Sequence, residues 1–355
     1  MFLRTAEDIC SDNTHIDQIK DIYAKISPVE EGDIVAVKIH PGEYGNTTYI
    51  RPVIIRTVVD LIREQGGVPF VTDTTVLYRG RRFNAVDLLW TASANGFSEA
   101  SMNAPFIVAD GLTGNDSVVV EINGEFLRHT TVASAIANAD SMVVISHCKG
   151  HPGSGFGGAI KNLGMGCLDK AGKTKIHEVG IPSIDYNKCS SCGICIDECA
   201  WGAFTIEDNV VTLDCEVCKG ELSCVDCCPS KAIIPPADCS ERMQIRLGEA
   251  AAGPVKVLEE RIGYINWAYD ITPFCDCCNF SSPVIAENVG ILASKDPVAI
   301  DSATVDLINN KIRVDNTSLA DLWATDPKLH ILQAEKIGIG SADYLLDKNL
   351  SCKDR

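Results

Sequence analysis

Residues 34–72 read IVAVKIHPGEYGNTTYIRPVIIRTVVDLIREQGGVPFVT, a stretch in which two short apolar runs flank a longer helix-like segment. The first run, 34–39, is rich in β-branched residues and predicts a buried strand. The helix-like segment extends from about 48 to 65, where the pair Gly66-Gly67 supplies a stop signal. The second run, 68–72, predicts another strand. A strand, a helix and a strand in this order indicate an α/β unit with parallel strands.

The same alternation of strands and helices continues along most of the chain. Strands are predicted near 106–109, 117–122, 142–146, 263–270 and 289–293, and helices near 131–139, 241–262, 296–310 and 326–337. We therefore predict an α/β fold in which a mainly parallel sheet is flanked by helices.

A cysteine-rich stretch at 181–239 interrupts this alternation. It carries ten acidic residues against three lysines, so it is more acidic than the rest of the chain. We predict one α/β domain in two parts, 1–180 and 240–355, that is interrupted by a small metal-binding insert at 181–239.

The composition limits the classes of partner. The chain has 355 residues, roughly two domains' worth, and its 31 basic and 48 acidic residues give a net charge of −17. That charge opposes binding to nucleic acid or to an anionic membrane. The N-terminus lacks the apolar core of a signal peptide, and no run approaches the roughly 18 to 20 apolar residues of a membrane-spanning helix. We therefore expect a cytoplasmic protein.

Seventeen cysteines give the strongest functional signal, because clustered cysteines in a reducing compartment more often bind metal than form disulfides. Two sets have the spacings C-x2-C-x2-C-x3-C and C-x2-C-x5-C-x3-C-P. In such runs three thiolates hold one four-iron cluster and the fourth crosses to the other cluster. Zinc sites are the alternative, but zinc does not need two interleaved sets of four cysteines. The predicted ligands are Cys189, Cys192, Cys195 and Cys228 for one cluster, and Cys215, Cys218, Cys224 and Cys199 for the other.

This stretch resembles the bacterial two-cluster ferredoxin. It departs from that family at Ala200, where the family usually has proline, and in the longer loop between Cys218 and Cys224. The resemblance implies a small α+β segment with two [4Fe–4S] clusters that are close enough to exchange electrons in single steps. Cys227 and Cys239 are then spare thiols.

A second group of cysteines, Cys275, Cys277 and Cys278, lies within four residues. It indicates a third cluster, another soft-metal site or a thiol site, with Cys148 or Cys167 as a possible additional ligand. The alternative is that these cysteines pack as small buried hydrophobes.

Residues 147–162 read HCKGHPGSGFGGAIKN and connect a predicted strand to a predicted helix. Glycines let backbone N–H groups approach a ligand, and a helix N-terminus favours an anion. The alternative is a glycine-rich turn that only packs helix against strand, since the acidic residue of a dinucleotide site is missing. We predict a site for an anionic substrate or cofactor, with contacts from Lys149, His151, Gly155, Gly157, Gly158 and Lys161.

Several polar residues could face the same cleft. Lys38 and His40 lie at the carboxyl end of the first strand, where α/β sheets usually bind ligands; His40 is otherwise a structural histidine. Thr47 is predicted to cap the next helix. Asp296 is predicted to cap a helix that has proline at its first position, and Asp301 to be a buried polar group or a site acid.

The chain also resembles, over nearly its whole length, an uncharacterised iron–sulfur protein family catalogued as domain of unknown function, number 362. The matching blocks are Lys38-x-His40, GNTT at 45–48, GFGGAIKNLGMG at 155–166, the cysteines at 275–278 and DPVAID at 296–301. The resemblance implies an anaerobe-associated cytosolic protein with [4Fe–4S] clusters and no settled reaction. A fainter likeness to the lactate racemase group carries no reaction across.

We expect an iron–sulfur redox protein in which the insert relays electrons from a ferredoxin-like donor or partner oxidoreductase to an anion-binding cleft. The candidate catalytic residues are Lys161, His40, Lys149 and His151, and the candidate cofactor contacts are Lys38 and the three glycines of 155–158. Two alternatives stay open: an electron carrier or adaptor of a larger redox complex, and a protein that matures metal or cluster sites. No motif specifically requires a flavin, which also stays an open alternative.

Overall fold

The computed structural model describes residues 1–314 and 317–348, and this part of the chain forms sixteen strands and fourteen helices. The strands are β1 (Phe2–Thr5), β2 (Ile34–Lys38), β3 (Val68–Asp73), β4 (Phe106–Val108), β5 (Ser117–Glu121), β6 (His129–Ala133), β7 (Ser141–His147), β8 (Lys149–His151), β9 (Gly155–Gly157), β10 (Ser183–Ile184), β11 (Phe204–Glu207), β12 (Val210–Leu213), β13 (Ile233–Ile234), β14 (Ile262–Ala268), β15 (Gly290–Ser294) and β16 (Asp347–Lys348). The helices are α1 (His15–Ile26), α2 (Pro52–Glu64), α3 (Ala85–Ala94), α4 (Glu99–Met102), α5 (Ser134–Ala137), α6 (Ala159–Gly164), α7 (Lys170–His177), α8 (Ile194–Glu198), α9 (Ser223–Asp226), α10 (Cys239–Ala250), α11 (Ala252–Val257), α12 (Pro297–Asn309), α13 (Leu319–Trp323) and α14 (Leu329–Lys336). None of the helices in these residues is long and apolar enough to cross a membrane.

The main sheet has eight strands in the order β16-β1-β15-β14-β7-β2-β3-β4. The strands from β14 to β4 in this order run parallel to one another, whereas β15 is antiparallel to both β14 and β1. The predicted α/β fold with a mainly parallel sheet is therefore confirmed.

Both faces of the sheet are covered, which explains why its central strands are almost uniformly apolar. Val35 and Val37 pack on one side with residues of α1 and α2, and Ala36 packs on the other with residues of α6, α10 and α12. All three side chains are fully buried. The carboxyl ends of β2, β3 and β7 open into a cavity that residues of α6 and α10 also line.

Two predicted helices were wrong in extent. The helix predicted at 131–139 is the strand β6 followed by the single turn α5, because the β-branched run Thr130-Thr131-Val132 pairs with β5 in a separate hairpin. The helix predicted at 241–262 is divided into α10 and α11. Pro254 has no N–H to continue the hydrogen bonds of α10.

The cysteine-rich stretch has its own small sheets, β10 with β13 and β11 with β12, around a core that includes Phe204 and Val211. Trp201 joins it to the α/β part: its indole N–H donates to the carbonyl oxygen of Leu77 at 2.8 Å, and its ring packs edge-on against Phe83. The domain boundaries at 181 and 239 stay a prediction.

A buried carboxylate on α12 connects that helix to α6 and to strand β14 of the sheet. Asp301 of α12 is fully buried and accepts hydrogen bonds from the backbone N–H groups of Ala159 and Ile160, both at 2.8 Å, and from the amide of Asn266 at 2.8 Å. It therefore supplies the partners for the start of α6, which Gly158 cannot supply. Asp296 caps α12, as predicted.

Gly158→Ala tests this connection, because a Cβ at that position would lie 2.3 Å from the Asp301 carboxylate. We expect the substitution to lower the free energy of unfolding by about 3 kcal/mol through overpacking. Gly157→Ala is the matched control, since its Cβ meets nothing closer than 3.6 Å. Anaerobic urea unfolding followed by tryptophan fluorescence measures both; equal midpoints for the two variants would contradict the account.

Candidate functional site

A cavity of about 610 Å³ lies at the carboxyl ends of β2, β3 and β7. Lys38, Asp73 and His147 end these three strands and form part of its floor. Residues 220–223, 225 and 226 of the cysteine-rich stretch also line it. The cavity therefore lies between the sheet and the stretch that carries the predicted cluster ligands.

The ammonium group of Lys38 uses all of its hydrogen-bond donors within the protein. Its side chain is 1% exposed, and its ammonium donates to the carboxylate of Asp73 at 2.8 Å, to the side-chain oxygen of Asn162 at 2.7 Å and to the carbonyl oxygen of Ile39 at 2.7 Å. An ammonium group has three donors, so none is left for a ligand. The role that this arrangement supports is positioning of Asp73 and Asn162, and a direct cofactor contact stays a prediction.

Arg82 is a cavity residue that the sequence reasoning missed. It is buried and lies against the carboxylates of Asp73 at 3.3 Å and Glu43 at 3.2 Å, and it also donates to the hydroxyl of Tyr78. Burial alone would lower the pKa of Arg82, but these neighbours outweigh burial and raise the pKa above its ordinary value. Its place after β3 is the only signal in the sequence, because its carboxylate partners are distant along the chain.

A second buried ion pair holds Lys149, which was predicted to be catalytic. Its ammonium lies 2.5 Å from the carboxylate of Asp276, whose other oxygen lies 2.8 Å from Nδ1 of His147. Burial alone would raise the pKa of Asp276, but His147 and Lys149 outweigh it and hold the pKa below its ordinary value. His147 also contacts the carbonyl oxygen of Tyr269 at 2.8 Å, so both ring nitrogens are occupied.

Lys161 differs from the other cavity lysines. Lys38, Lys149 and Lys173 all donate hydrogen bonds, whereas no hydrogen bond or ion pair is found for Lys161 within the described residues. Burial, together with the nearby charge of Arg82, lowers the pKa of Lys161 to about 8. The structure thus gives the cavity one unpaired amine that loses its proton close to neutral pH.

His40 and His151 both line the cavity as neutral rings. Nδ1 of His40 accepts from the N–H of Gly42 at 3.1 Å, and Nδ1 of His151 accepts from the N–H groups of Gly153 at 3.1 Å and Ser154 at 3.2 Å. Burial lowers the pKa of each ring well below its ordinary value. Each neutral ring therefore carries its proton on Nε2.

The glycine-rich segment does not offer the helix amides that were expected to hold an anion, and this part of the hypothesis is corrected. Asp301 already accepts from the first N–H groups of α6. Gly157 and Gly158 line the cavity, whereas Gly155 has φ +68° and packs against Pro327. A cofactor contact by these glycines stays a prediction.

The two predicted ligand sets come together as separate groups. Cys189, Cys192, Cys195 and Cys228 line one small cavity of about 20 Å³ with apolar walls. In the other set, burial raises the pKa of Cys218, and the neighbouring thiols Cys199 and Cys215 raise it further; Cys224 lies beside Cys218 and Cys199.

Backbone N–H groups already point at sulfur atoms in both sets. Ala232 donates to Cys228 Sγ at 3.3 Å, and Ala203 donates to Cys199 Sγ at 3.4 Å. Four thiols per set and N–H groups directed at sulfur match what iron–sulfur clusters require. The residues present therefore fit two four-iron clusters.

The loop with the second cysteine group faces the large cavity. Cys275 and Cys277 are joined by a disulfide, whereas Cys278 is a free thiol. Cys148 and Cys167 are buried in the core and do not line this cavity. Among the described residues, a ring nitrogen of His151 and the sulfurs of Cys275 and Cys277 all lie within 4.8 Å of one another.

Residues of the Gly45–Thr48 block fix this loop rather than capping a helix. The Asn46 amide donates to the carbonyl oxygen of Cys278 at 3.3 Å, and the Thr47 N–H donates to the hydroxyl of Ser281 at 2.8 Å. The predicted capping role of Thr47 is wrong, because α2 begins after Arg51. We predicted the cap because Thr47 lies shortly before the helix in the sequence. In the structure Thr47 instead contacts Ser281, which is distant in the sequence.

The chain is similar to known proteins in sequence and in structure. A family model described as "Domain of unknown function (DUF362)" matches residues 35–306. A protein named ferredoxin from Pyrobaculum islandicum is 33% identical over 92 residues, which is 25% of this chain and 86% of that protein.

Solved structures with a similar arrangement include the lactate racemase apoprotein from Thermoanaerobacterium thermosaccharolyticum, with 14% identity and a TM-score of 0.38 over 71% of this chain and 48% of that one. A protein from Thermotoga maritima solved by structural genomics has 10% identity and a TM-score of 0.39 over 73% of this chain and 51% of that one. The chain spans about half the length of these two structures.

Cys228→Ala and Cys227→Ala form a matched pair that tests whether Cys228 is a cluster ligand and Cys227 a spare thiol. We expect about eight irons and eight acid-labile sulfides per chain in the anaerobic wild type and in Cys227→Ala, and about four fewer of each in Cys228→Ala. Iron and sulfide assays with metal analysis measure this. Equal losses in the two variants, or zinc in place of iron, would contradict the assignment.

Lys161 should react with an amine acylating reagent at unusually low pH, because only the neutral amine is nucleophilic. Pulse acetylation at a series of pH values, read by mass spectrometry, should give a midpoint of about 8 for the folded protein. The same lysine in urea-unfolded protein is the control and should need a pH near the ordinary lysine pKa, about 10.4. Identical midpoints in the folded and unfolded protein would refute the lowered pKa.

Proposed function

The chain belongs to the DUF362 family, and on that premise we propose that it is an iron–sulfur redox protein whose insert passes electrons to the large cavity. One observation supports this most strongly: Glu221, Ser223 and Asp226, which flank the predicted ligand Cys224, line the cavity together with Lys161. The likeness to a ferredoxin supports an electron-carrying role. An anionic substrate or cofactor would bind between the insert and the sheet.

Bound [4Fe–4S] clusters, held by the two sets of four cysteines, would supply one-electron transfer. The electrons would come from a ferredoxin-like donor or a partner oxidoreductase. The insert carries ten acidic residues against three lysines, and such a charged patch steers the encounter with a partner of opposite charge. We place the protein in the cytoplasm on its cysteine usage.

The polar residues of the cavity would have two roles, ligand binding and positioning. Lys161, as the unpaired amine, would attract the anion while protonated and could give up its proton near neutral pH. His40 and His151 would donate hydrogen bonds from Nε2. Lys38 and Lys149 would act as positioning residues, because their carboxylate partners already hold them.

An electron carrier that docks on a larger complex is the second candidate, and the acidic insert favours it. A carrier, however, has no use for a cavity of about 610 Å³ with an unpaired lysine. Small-molecule sites are commonly of about 300 to 1,000 Å³. The cavity therefore favours a protein that acts on a small molecule.

Lys161→Met separates these two functions. Dithionite-reduced protein is mixed anaerobically with sulfite, nitrite or oxidised glutathione as anionic acceptors, and cluster reoxidation is followed by absorbance. We expect saturable reoxidation by at least one acceptor, slowed about tenfold or more in Lys161→Met because a charged contact to the anion is lost. Lys175→Met, at an exposed lysine outside the cavity, is the control.

Electron transfer to cytochrome c, which cannot enter the cavity, should be the same in all three proteins. Reoxidation by the small anions that is unaffected by Lys161→Met would instead identify a carrier.

A further inference from the structure

We propose that Cys275 and Cys277 form a redox-active pair that receives the electrons delivered to the cavity. This inference rests on the proposed function and deepens it, because it names the first acceptor inside the cavity. The bond between these two sulfurs would open to two thiols and close again during turnover.

The cysteine pair lies in the same cavity as the insert segment that would deliver the electrons. Cys275, Cys277 and Cys278 all line the cavity, as do Ser223 and Asp226 of the insert. The bonded sulfurs therefore share one cavity with the segment that carries Cys224, a predicted cluster ligand.

The loop that carries the pair is held rigidly. The Asn46 amide donates to the carbonyl oxygens of Cys278 and Phe280, at 3.3 and 3.0 Å, and the Tyr78 hydroxyl donates to the carbonyl oxygen of Cys277 at 3.4 Å. Asp276, between the two cysteines, is fixed by His147 and Lys149. These contacts hold the loop at and after Asp276.

The electron count is balanced. Opening the bond between Cys275 and Cys277 takes two electrons and two protons and yields two thiols. Two four-iron clusters, each a one-electron carrier, would supply the two electrons from a reduced ferredoxin-type protein. The two protons would come from solvent in the cavity, and His151, one ring nitrogen of which lies within 4.8 Å of both sulfurs, is the nearby polar group.

Turnover then needs an oxidant for the two thiols. A small anionic disulfide fits, because thiol–disulfide exchange needs no group besides the two sulfurs. One thiolate attacks a substrate sulfur and releases the first thiol; the second thiolate then closes the bond between Cys275 and Cys277 and releases the second thiol.

A soft metal ion held by His151, Cys275 and Cys277 is the competing arrangement. Metal-binding histidines almost always donate their second ring N–H to an acceptor. In His151, Nδ1 faces two N–H donors, Gly153 and Ser154, so it can neither be the ligand atom itself nor donate to an acceptor while Nε2 binds the metal. The hydrogen bonds therefore favour the thiol pair.

The sequence allows a direct test, because trypsin cleavage after Arg261 and Lys295 releases a peptide that contains Cys275, Cys277 and Cys278 and no other cysteine. Anaerobic protein is alkylated after oxidation with thionin, or after reduction with a reduced bacterial ferredoxin. We expect one label on this peptide in the oxidised protein and three in the reduced protein. Cys277→Ser should carry two labels in both states.

The cluster variants show where the electrons come from. Over the same time, Cys227→Ala should reach three labels, whereas Cys228→Ala should stay near one. Three labels in the oxidised wild type, with a stoichiometric metal that Cys277→Ser loses, would overturn the proposal in favour of a metal site. One label after ferredoxin reduction of intact clusters would also overturn it. The proposed function would still stand in that case if reoxidation of the clusters depended on Lys161.

Discussion

The carboxylate of Asp73 is the constraint on which the site depends. It accepts from Lys38 at 2.8 Å and from Arg82 at 3.3 Å, and all three groups are buried. Removing one member of a buried ion pair leaves an uncompensated charge and costs about 3 to 5 kcal/mol. The ends of β2 and β3 and the Arg82 segment are therefore held together, and this assembly forms the floor of the cavity.

In this network and in the Lys149–Asp276 pair, each positive side chain already has a carboxylate partner. Little positive charge in the cavity is therefore free for a ligand. Lys161 is the exception among the four lysines that line it. Burial and the nearby charge of Arg82 lower the pKa of Lys161 to about 8. We propose that this unpaired amine is the cation that binds the ligand.

Much of the fold could be predicted from the sequence, because buried parallel strands are apolar runs. The site was harder. Asp301, Arg82 and Asp276 act through partners far away in the chain, so no local pattern shows their roles. The glycine motif favoured an anion at the start of α6, where an internal carboxylate lies instead. The cysteine spacings, in contrast, reflect local loop geometry and could be read directly, although their ligand roles stay a prediction.

The central claim is that clusters in the insert lie beside the cavity of the α/β part. A crystal structure of anaerobic protein, with anomalous data collected at the iron edge, tests it most directly. The account predicts two four-iron sites within 181–239, the second held by Cys199, Cys215, Cys218 and Cys224 next to the segment 220–226. Zinc at these positions, or no iron beside the cavity, would contradict it.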